Sequence, residues 1–396
     1  MIQKNTQLLP LVLIVSLFFL WGLAHNLNPI LIPHLKSACN LSDFQSALID
    51  SAFFIAYFIF AIPAGIYMSY YGYKNGIVLG LLLFAAGAFL FIPAANTLSY
   101  PIFLMALFVI AAGLTFLETA ANPYVTILGN SSSAVMRLNL AQSFNGLGAF
   151  IAPLIGGMFI LSDTHQSDAV QSTVIKVPYI IIGLVVFIVA LTFIKIKLPE
   201  IADNTKPEPW QTALRHKKLL AGITAQFFYV GAQVGVSSFF IRYLNSVLDI
   251  SQQQAAYYLS FALVLFMTGR FTGTVLMKYI TPIKLLLVFA LVNIVLLLPV
   301  IAGGNLALYA IIGVPFFMSI MFPTIFSLSI QDTGNFTKQA SSLIIMSIVG
   351  GAIIPLIMGA ISDTWSIRWG YVAPLFCFLF VAWFAYYFSR IKPHNN

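Results

Sequence analysis

The sequence predicts an all-α membrane protein with twelve transmembrane helices in two pseudo-symmetric six-helix bundles. Its 396 residues are 60% hydrophobic and only 8% charged, whereas a soluble domain carries about 25% charged residues. Apolar runs such as "GIVLGLLLFAAGAFLFIPAA" reach the roughly 18–20 residues that cross a bilayer. Because backbone groups in hydrocarbon must bond internally, these runs must be helices, and they are too long and too uniform for barrel strands.

Apolar runs separated by polar breaks give six helices in each half of the chain. The first run follows a single lysine and no small-residue cleavage site comes after it, so it is interpreted as a spanning helix, not a signal peptide. The predicted helices of the first half lie near 8–35, 43–70, 75–96, 99–128, 138–162 and 177–195. Those of the second half lie near 219–246, 252–278, 283–303, 305–331, 339–363 and 369–391.

The basic residues predict the orientation. With the N-terminus inside, 14 of the 19 lysines and arginines fall on the inner side and 4 fall in outer loops, and the last, Arg270, lies within the eighth helix. Positive charge concentrates on the cytoplasmic side of membrane proteins. We therefore expect a multi-pass protein of the cell inner membrane with both termini in the cytoplasm.

The chain divides in the middle and repeats itself. Residues 195–218 are charged and contain three prolines, which indicates a cytoplasmic linker between bundles 1–194 and 219–396. The segment "GAFIAPLIGGMFILSD" (148–163) matches "GGAIIPLIMGAISD" (350–363), and "ANPYVTILG" (121–129) more weakly matches "MFPTIFSLS" (321–329). Repeated halves are typical of secondary transporters, whose substrate sites lie near the bilayer midplane.

Polar side chains recur at helical spacing inside the predicted spans. Such residues are expensive in hydrocarbon, so they indicate either a water-filled cavity or polar contacts that hold helices together. For serines and threonines both interpretations stay open. An amide both donates and accepts hydrogen bonds, which suits a hydroxyl-rich ligand. The predicted substrate-binding amides are Asn26, Asn122, Gln142, Asn145, Gln226 and Gln233.

Two carboxylates are candidates for proton coupling. Glu118 lies about 19 residues into its predicted span, roughly 15 Å from the inner end of the helix. A carboxyl group there could take up and release a proton as its surroundings alternate between wet and dry. The alternative is a structural pair with Arg270 or Arg137. Asp50, about seven residues into the second span, is the second candidate, and Arg270 itself could be a gating residue, an ion-pair partner or a carbonyl anchor.

Nothing in the sequence indicates an enzyme. It contains no GxSxG, HExxH or Walker motif and no cluster of cysteine ligands. We therefore predict no catalytic residues, no metal and no cofactor other than a coupling proton. The net charge of +8 follows the inner loops, so we expect lipid and not nucleic acid as the partner.

Several segments resemble the fucose permease family of proton–sugar symporters, within the major facilitator superfamily. They are "FFLWGLAHNLNPILIPHL", "GLTFLETAANPYVTILG", "RLNLAQSFNGLGA", "AQFFYVGAQ", "GRFTGT" and "FPTIFSLSI". The likeness runs in order along nearly the whole chain. It implies the twelve-helix major facilitator fold, alternating access, and import of a monosaccharide together with a proton.

The resemblance also matches individual residues of this chain to functional positions of the family. Glu118 falls on the family's membrane carboxylate, Asn26, Gln142 and Asn145 fall on central-cavity positions, and Arg270 falls on the arginine of "GRFTGT".

This chain also departs from the family pattern. The fucose permease has a second acid where this chain has Pro29, a Gln-Tyr pair where it has Met321 and Phe322, and a tryptophan where it has Ser237. We expect Phe322 to line the substrate site.

Hairpin geometry suggests where the missing acid went. Pro29 and Asp50 are equally far from the centre of the first outer turn, so Asp50 either replaces that acid or is a solvated carboxylate of the outer vestibule.

The sequence therefore predicts a proton-coupled importer of fucose or a related hexose that works as a monomer. A sugar uniporter or a sodium-coupled carrier of the same fold is the alternative, because one family acid is absent. A drug or metabolite exporter is a third hypothesis, disfavoured by the many amides.

Overall fold

The described chain is helical throughout. The computed structural model describes residues 12–23, 43–128, 130–160, 168–196, 213, 215–331 and 333–390. The helices of the first half are α1 (Val12–Leu23), α2 (Asp43–Thr97), α3 (Tyr100–Ile127), α4 (Ala134–Ile160) and α5 (Asp168–Lys195). Those of the second half are α6 (Lys217–Leu248), α7 (Gln252–Leu276), α8 (Pro282–Ala302), α9 (Leu306–Met318), α10 (Met321–Ser329), α11 (Thr337–Met346), α12 (Gly350–Thr364), α13 (Ile367–Gly370) and α14 (Val372–Arg390).

Helix α2 holds two of the predicted spans. It is 55 residues long and is interrupted at Gly72, whose φ of 80° is not helical. Glycine adopts positive φ at no steric cost, so the chain can turn there between two spans. The break falls between the predicted helices 43–70 and 75–96.

Three predicted helices of the second half are each divided. The span predicted at 305–331 is α9 followed by α10, and the span at 339–363 is α11, a 3-10 turn at Ser347–Val349 and α12. The span predicted at 369–391 is the short α13 followed by α14. Counting each of these three divided pairs once, and α2 twice, the described helices make up the twelve spans of the predicted fold.

The outer faces of the helices suit lipid. Among the described residues, nine helices are long and apolar enough to cross a membrane. In α8 the side chains of Val288, Leu291, Val295 and Leu298 are exposed, and they recur at helical spacing as one stripe. A helix that exposes one apolar face while burying another is expected in a bilayer, not in water.

Contacts group the described residues into two compact units. The first takes its described residues from Met1–Leu128, Phe144–Glu208 and Asn335–Met346, and the second takes its own from Gly129–Ser143, Pro209–Gly334 and Ser347–Asn396. The first half of α4 thus belongs with most of the second half of the sequence, and α11 belongs with the first. The division into bundles 1–194 and 219–396 stays a prediction. Most of the predicted cytoplasmic linker 195–218 lies outside the described residues, so its position also stays a prediction.

The internal repeat places a glycine at the same kind of helix crossing in each unit. At Gly148 in α4 a methyl group would overlap the carbonyl oxygen of Phe19 in α1, and at Gly350 the same change would overlap that of Phe227 in α6. Both glycines begin the matching segments found in the sequence. Only a residue without a side chain permits backbones to approach this closely.

Candidate functional site

In the first unit, Glu118 lies buried in α3 and is hydrogen-bonded to an aromatic side chain. Its exposed fraction is 2%, and its Oε1 accepts a hydrogen bond from the hydroxyl of Tyr57 in α2. The Tyr57 side chain is hydrogen-bonded in turn to Trp21 in α1. Side chains of three helices are therefore linked in a chain of hydrogen bonds that ends at this carboxyl group.

The second carboxyl oxygen of Glu118 differs from the first in its hydrogen bonding. Oε2 is buried and has no hydrogen-bond partner among the described residues. A buried polar atom without a partner costs roughly 1–3 kcal/mol, so it marks either strain or a place where a ligand or water completes the bonding. Asn122, one turn further along α3, is also fully buried.

The hydroxyl groups of Thr115 and Thr119, near Glu118 on α3, are satisfied by their own helix. Thr115 donates to the carbonyl of Ala111 at 2.8 Å, and Thr119 donates to that of Thr115 at 2.7 Å. Their hydroxyl hydrogens are therefore already used within α3. Of the two interpretations left open for hydroxyls, these two support the structural one, which leaves Glu118 and Asn122 as the ligand candidates on this helix.

Asn145 in α4 bonds to the first helix. Its Nδ2 donates to the carbonyl of Phe18 in α1 at 3.2 Å, close to the Gly148 crossing described above. The side chain is half-buried. Its amide nitrogen thus joins two helices, and the predicted contact with a sugar stays a prediction.

In the second unit, Arg270 of α7 anchors backbone carbonyls. Its Nε donates to the carbonyl of Ser319 at 3.1 Å and its Nη1 donates to that of Gln142 at 2.5 Å. Its guanidinium carbon lies 4.6 Å from the centroid of the Phe266 ring, a distance at which a cation is attracted to an aromatic face. The hydrogen bonds that the structure gives this arginine agree with the carbonyl-anchor interpretation.

Arg137, the other arginine considered as a partner for Glu118, lies at the start of α4. Its Nη1 donates to the carbonyl of Asn130 at 2.7 Å and also to the hydroxyl of Ser133. These bonds tie the helix start to the turn before it, which is a structural role.

Prolines explain why two backbone carbonyls, those of Ser319 and Thr119, need a donor from another helix. A proline has no N–H, so the carbonyl four residues earlier has no helical partner. Pro323 in α10 leaves the carbonyl of Ser319 without a helical donor, and Arg270 donates a hydrogen bond to it. Pro123 in α3 leaves the carbonyl of Thr119 without a helical donor, and the hydroxyl of Ser341 in α11 donates a hydrogen bond to it at 2.8 Å.

The two prolines occupy matching positions in the internal repeat, and so do the segments that dock beside them. Asn139 in α4 donates to the hydroxyl of Thr324 at 3.1 Å, immediately after Pro323. Asn139 and Ser341 are related by the same offset of about 202 residues that relates Gly148 to Gly350. In each unit, then, the start of a repeated helix docks beside the proline of another.

The two predicted amides of α6 differ in burial and in their hydrogen bonds. Gln226 is fully buried, and both polar atoms of its side chain lack a hydrogen-bond partner among the described residues. Gln233, two turns later, is half-buried. Between them, the hydroxyl of Tyr229 donates to the carbonyl of Met318 at 3.0 Å, where α9 ends. Gln226 is therefore the α6 amide that most needs a ligand or water.

The remaining predicted residues are placed as follows. Gln142 is 2% exposed and Phe322 is 8% exposed, and the Phe322 ring stacks on Phe326 with centroids 6.4 Å apart. Asn26 lies outside the described residues. Asp50 lies in α2, but its side chain is outside the described ones, so its role as a coupling acid stays a prediction.

Sequence reasoning missed Tyr57 and Ser341. Tyr57 lies within the apolar run "FFIAYFIFAI", where an aromatic residue looks like packing, and it is 61 residues from Glu118 along the chain. Ser341 was indistinguishable from other small polar residues. The one available signal was Pro123, because a proline inside a helix implies a free carbonyl that some donor must satisfy.

Comparison with known proteins settles the family. A family model for the Major Facilitator Superfamily matches residues 12–348. This chain belongs to the major facilitator superfamily. The resemblance seen in the sequence is also confirmed, because the chain is 43% identical to the L-fucose-proton symporter of Escherichia coli (strain K12), over 98% of this chain and 95% of that protein.

Other similar proteins agree. The chain is 40% identical to the glucose/galactose transporter of Brucella abortus biovar 1 (strain 9-941), over 96% of this chain and 94% of that one. Its structure is similar to the crystal structure of the transporter FucP in the outward conformation, with a TM-score of 0.90 and 42% identity, over 97% of this chain and all of that one. The chain is therefore a transporter and not an enzyme.

Proposed function

We propose that this major facilitator protein imports a hexose or a 6-deoxyhexose together with a proton, by alternating access. The observation that carries the proposal is the carboxyl group of Glu118, buried in a membrane helix with Oε2 lacking a partner among the described residues. Similar proteins carry names for fucose–proton symport and for glucose and galactose transport, which supports sugar as the substrate class and a proton as the coupling ion.

The chain's own residues support a simple cycle. Glu118 takes up a proton while its cavity is open to the outside, and the sugar binds against the amides. The predicted amides are Asn26, Asn122, Gln142, Asn145, Gln226 and Gln233, with Phe322 as an apolar wall. Because a charged carboxylate is costly in hydrocarbon, the loaded carrier turns inward with Glu118 protonated. Glu118 then releases this proton to the inside and the empty carrier returns without it, so one proton enters with each sugar. Asp50 is proposed as a second acid that exchanges protons on the outer side.

Uptake into proteoliposomes tests the substrate and the coupling ion together. Labelled L-fucose, D-galactose and D-glucose are offered with an inward proton gradient, an inward sodium gradient, or neither. We expect one of these sugars to accumulate only when the proton gradient is present. Accumulation driven by sodium alone, or equilibration without accumulation under every gradient, would instead identify the sodium-coupled carrier or the uniporter.

The amides are tested by binding. Gln226→Ala and Gln142→Ala should each weaken sugar binding, measured by calorimetry in detergent, by roughly five- to a hundred-fold, because each loss strands a hydrogen-bonding group of the sugar. Gln254→Ala, an exposed amide in the first turn of α7, is the matched control and should bind as the parent does. Equal affinity in all three variants would place the sugar elsewhere.

We further propose a monomer in the cell inner membrane with both termini in the cytoplasm. An impermeant maleimide should label a cysteine introduced at Ser167 in intact cells, and should label one introduced at Thr205 only after the cells are permeabilised. Labelling of both positions from outside would overturn this topology.

A further inference from the structure

In the hydrogen bonds around Glu118, the chemistry of the side chains determines which group donates and which accepts. The indole nitrogen of Trp21 can only donate a hydrogen bond, so in its bond with Tyr57 the phenolic oxygen is the acceptor. The single hydroxyl hydrogen of Tyr57 is then available to Glu118, and it is directed at Oε1. The order is Trp21 to Tyr57 to Glu118, with each group donating to the next.

This order distinguishes the two oxygens of the carboxyl group. Oε1 is held as an acceptor whether or not the acid carries a proton. A proton taken up by Glu118 must therefore bond to Oε2, the buried oxygen that has no partner among the described residues. When the proton leaves, Oε2 becomes an acceptor in the same place.

We propose that Tyr57, held by Trp21, is a positioning residue that confines the exchangeable proton of Glu118 to Oε2 and turns that oxygen toward a sugar hydroxyl. This rests on the proposed function and deepens it. A sugar hydroxyl both donates and accepts, so it can pair with Oε2–H in the protonated carrier and with the bare oxygen afterwards. The same sugar hydroxyl thus binds in both states. The direction of its hydrogen bond with Oε2 depends on whether Glu118 carries the proton.

No other described titratable side chain is seen facing Glu118. Helices α2 and α11 pack against α3. From α2 the facing group is Tyr57, and Asp50 lies two turns before it with its side chain outside the described ones. From α11, Lys338 directs its ammonium group over the ring of Tyr73, 5.4 Å from the centroid. Tyr57 is the titratable group that the structure bonds to this carboxyl.

Infrared difference spectroscopy of the purified protein tests the positioning without any sugar. The carboxyl C=O stretch of protonated Glu118 is identified by its loss in Glu118→Gln. Tyr57→Phe removes the hydrogen bond to Oε1 and should move this band to higher wavenumber, and Trp21→Phe should move it the same way by less. Tyr67→Phe makes the same chemical change ten residues further along α2, where the ring packs on Phe116, and should leave the band in place.

A transport assay is the second test of the positioning role of Tyr57. In proteoliposomes, Tyr57→Phe should raise the KM for the transported sugar by about three- to ten-fold, the effect of one lost neutral hydrogen bond, and Tyr67→Phe should not change it. An unmoved band in both Tyr57→Phe and Trp21→Phe would overturn the proposal even if sugar is transported. If no sugar is transported by the parent, the proposed function fails, while the infrared result still decides the position of the proton.

Discussion

Glu118→Gln offers the sharpest test of coupling, because glutamine copies one state of the acid. Its side-chain carbonyl can accept the Tyr57 hydroxyl as Oε1 does, and its amide nitrogen occupies the place of Oε2 as a permanent donor. The variant therefore mimics the protonated carrier and cannot release a proton. Sugar should still bind and cross the membrane, but the proton gradient should no longer drive it.

The magnitude follows from the energy of the gradient. One pH unit is worth about 1.4 kcal/mol per proton, which is a ten-fold concentration ratio. With one proton per sugar and no membrane potential, the parent should accumulate sugar about ten-fold for each pH unit of gradient. Glu118→Gln should reach a ratio of about one, while its exchange of labelled for unlabelled sugar continues.

The assay compares net uptake and counterflow in the same proteoliposomes. Asp249→Asn is the matched control: it makes the same change at an exposed position where φ is 53°, a conformation that asparagine also tolerates. It should accumulate sugar as the parent does. Accumulation by Glu118→Gln at the parent's level would refute the assignment of coupling to this carboxyl.

Three further outcomes are expected. Ser341→Ala should lower the melting temperature in detergent, because a buried carbonyl freed by a proline loses its donor at a cost of roughly 1–3 kcal/mol, whereas Ser260→Ala, an exposed hydroxyl bonded within its own helix, should not. Arg270→Lys should lower it further, since one ammonium group cannot replace Nε and Nη1 on two carbonyls; an unchanged melting temperature would contradict the anchor role. Asp50→Asn should reduce proton-driven accumulation and Pro29→Asp in that background should partly restore it, so normal transport by Asp50→Asn would remove Asp50 from the coupling.

The number of helices and the family could be predicted from the sequence. Crossing a bilayer requires a long apolar run, and such runs are visible one at a time. The break near Gly72 was also predictable, because polar residues and glycine separate two runs there. The division of the span at 305–331 was not, since its apolar pattern continues through Ser319 and Ile320.

The sequence by itself determined that Glu118 is an ionisable group deep in a membrane helix, because composition and spacing along one helix suffice for that. It also determined that Pro123 and Pro323 occupy matching positions in two halves. Only the tertiary structure decided what these residues contact: Tyr57 for the carboxyl, Ser341 and Arg270 for the freed carbonyls. Hydrophobic periodicity reports which environment a residue requires, but the partner of a polar atom is chosen by three-dimensional proximity between helices far apart in the chain.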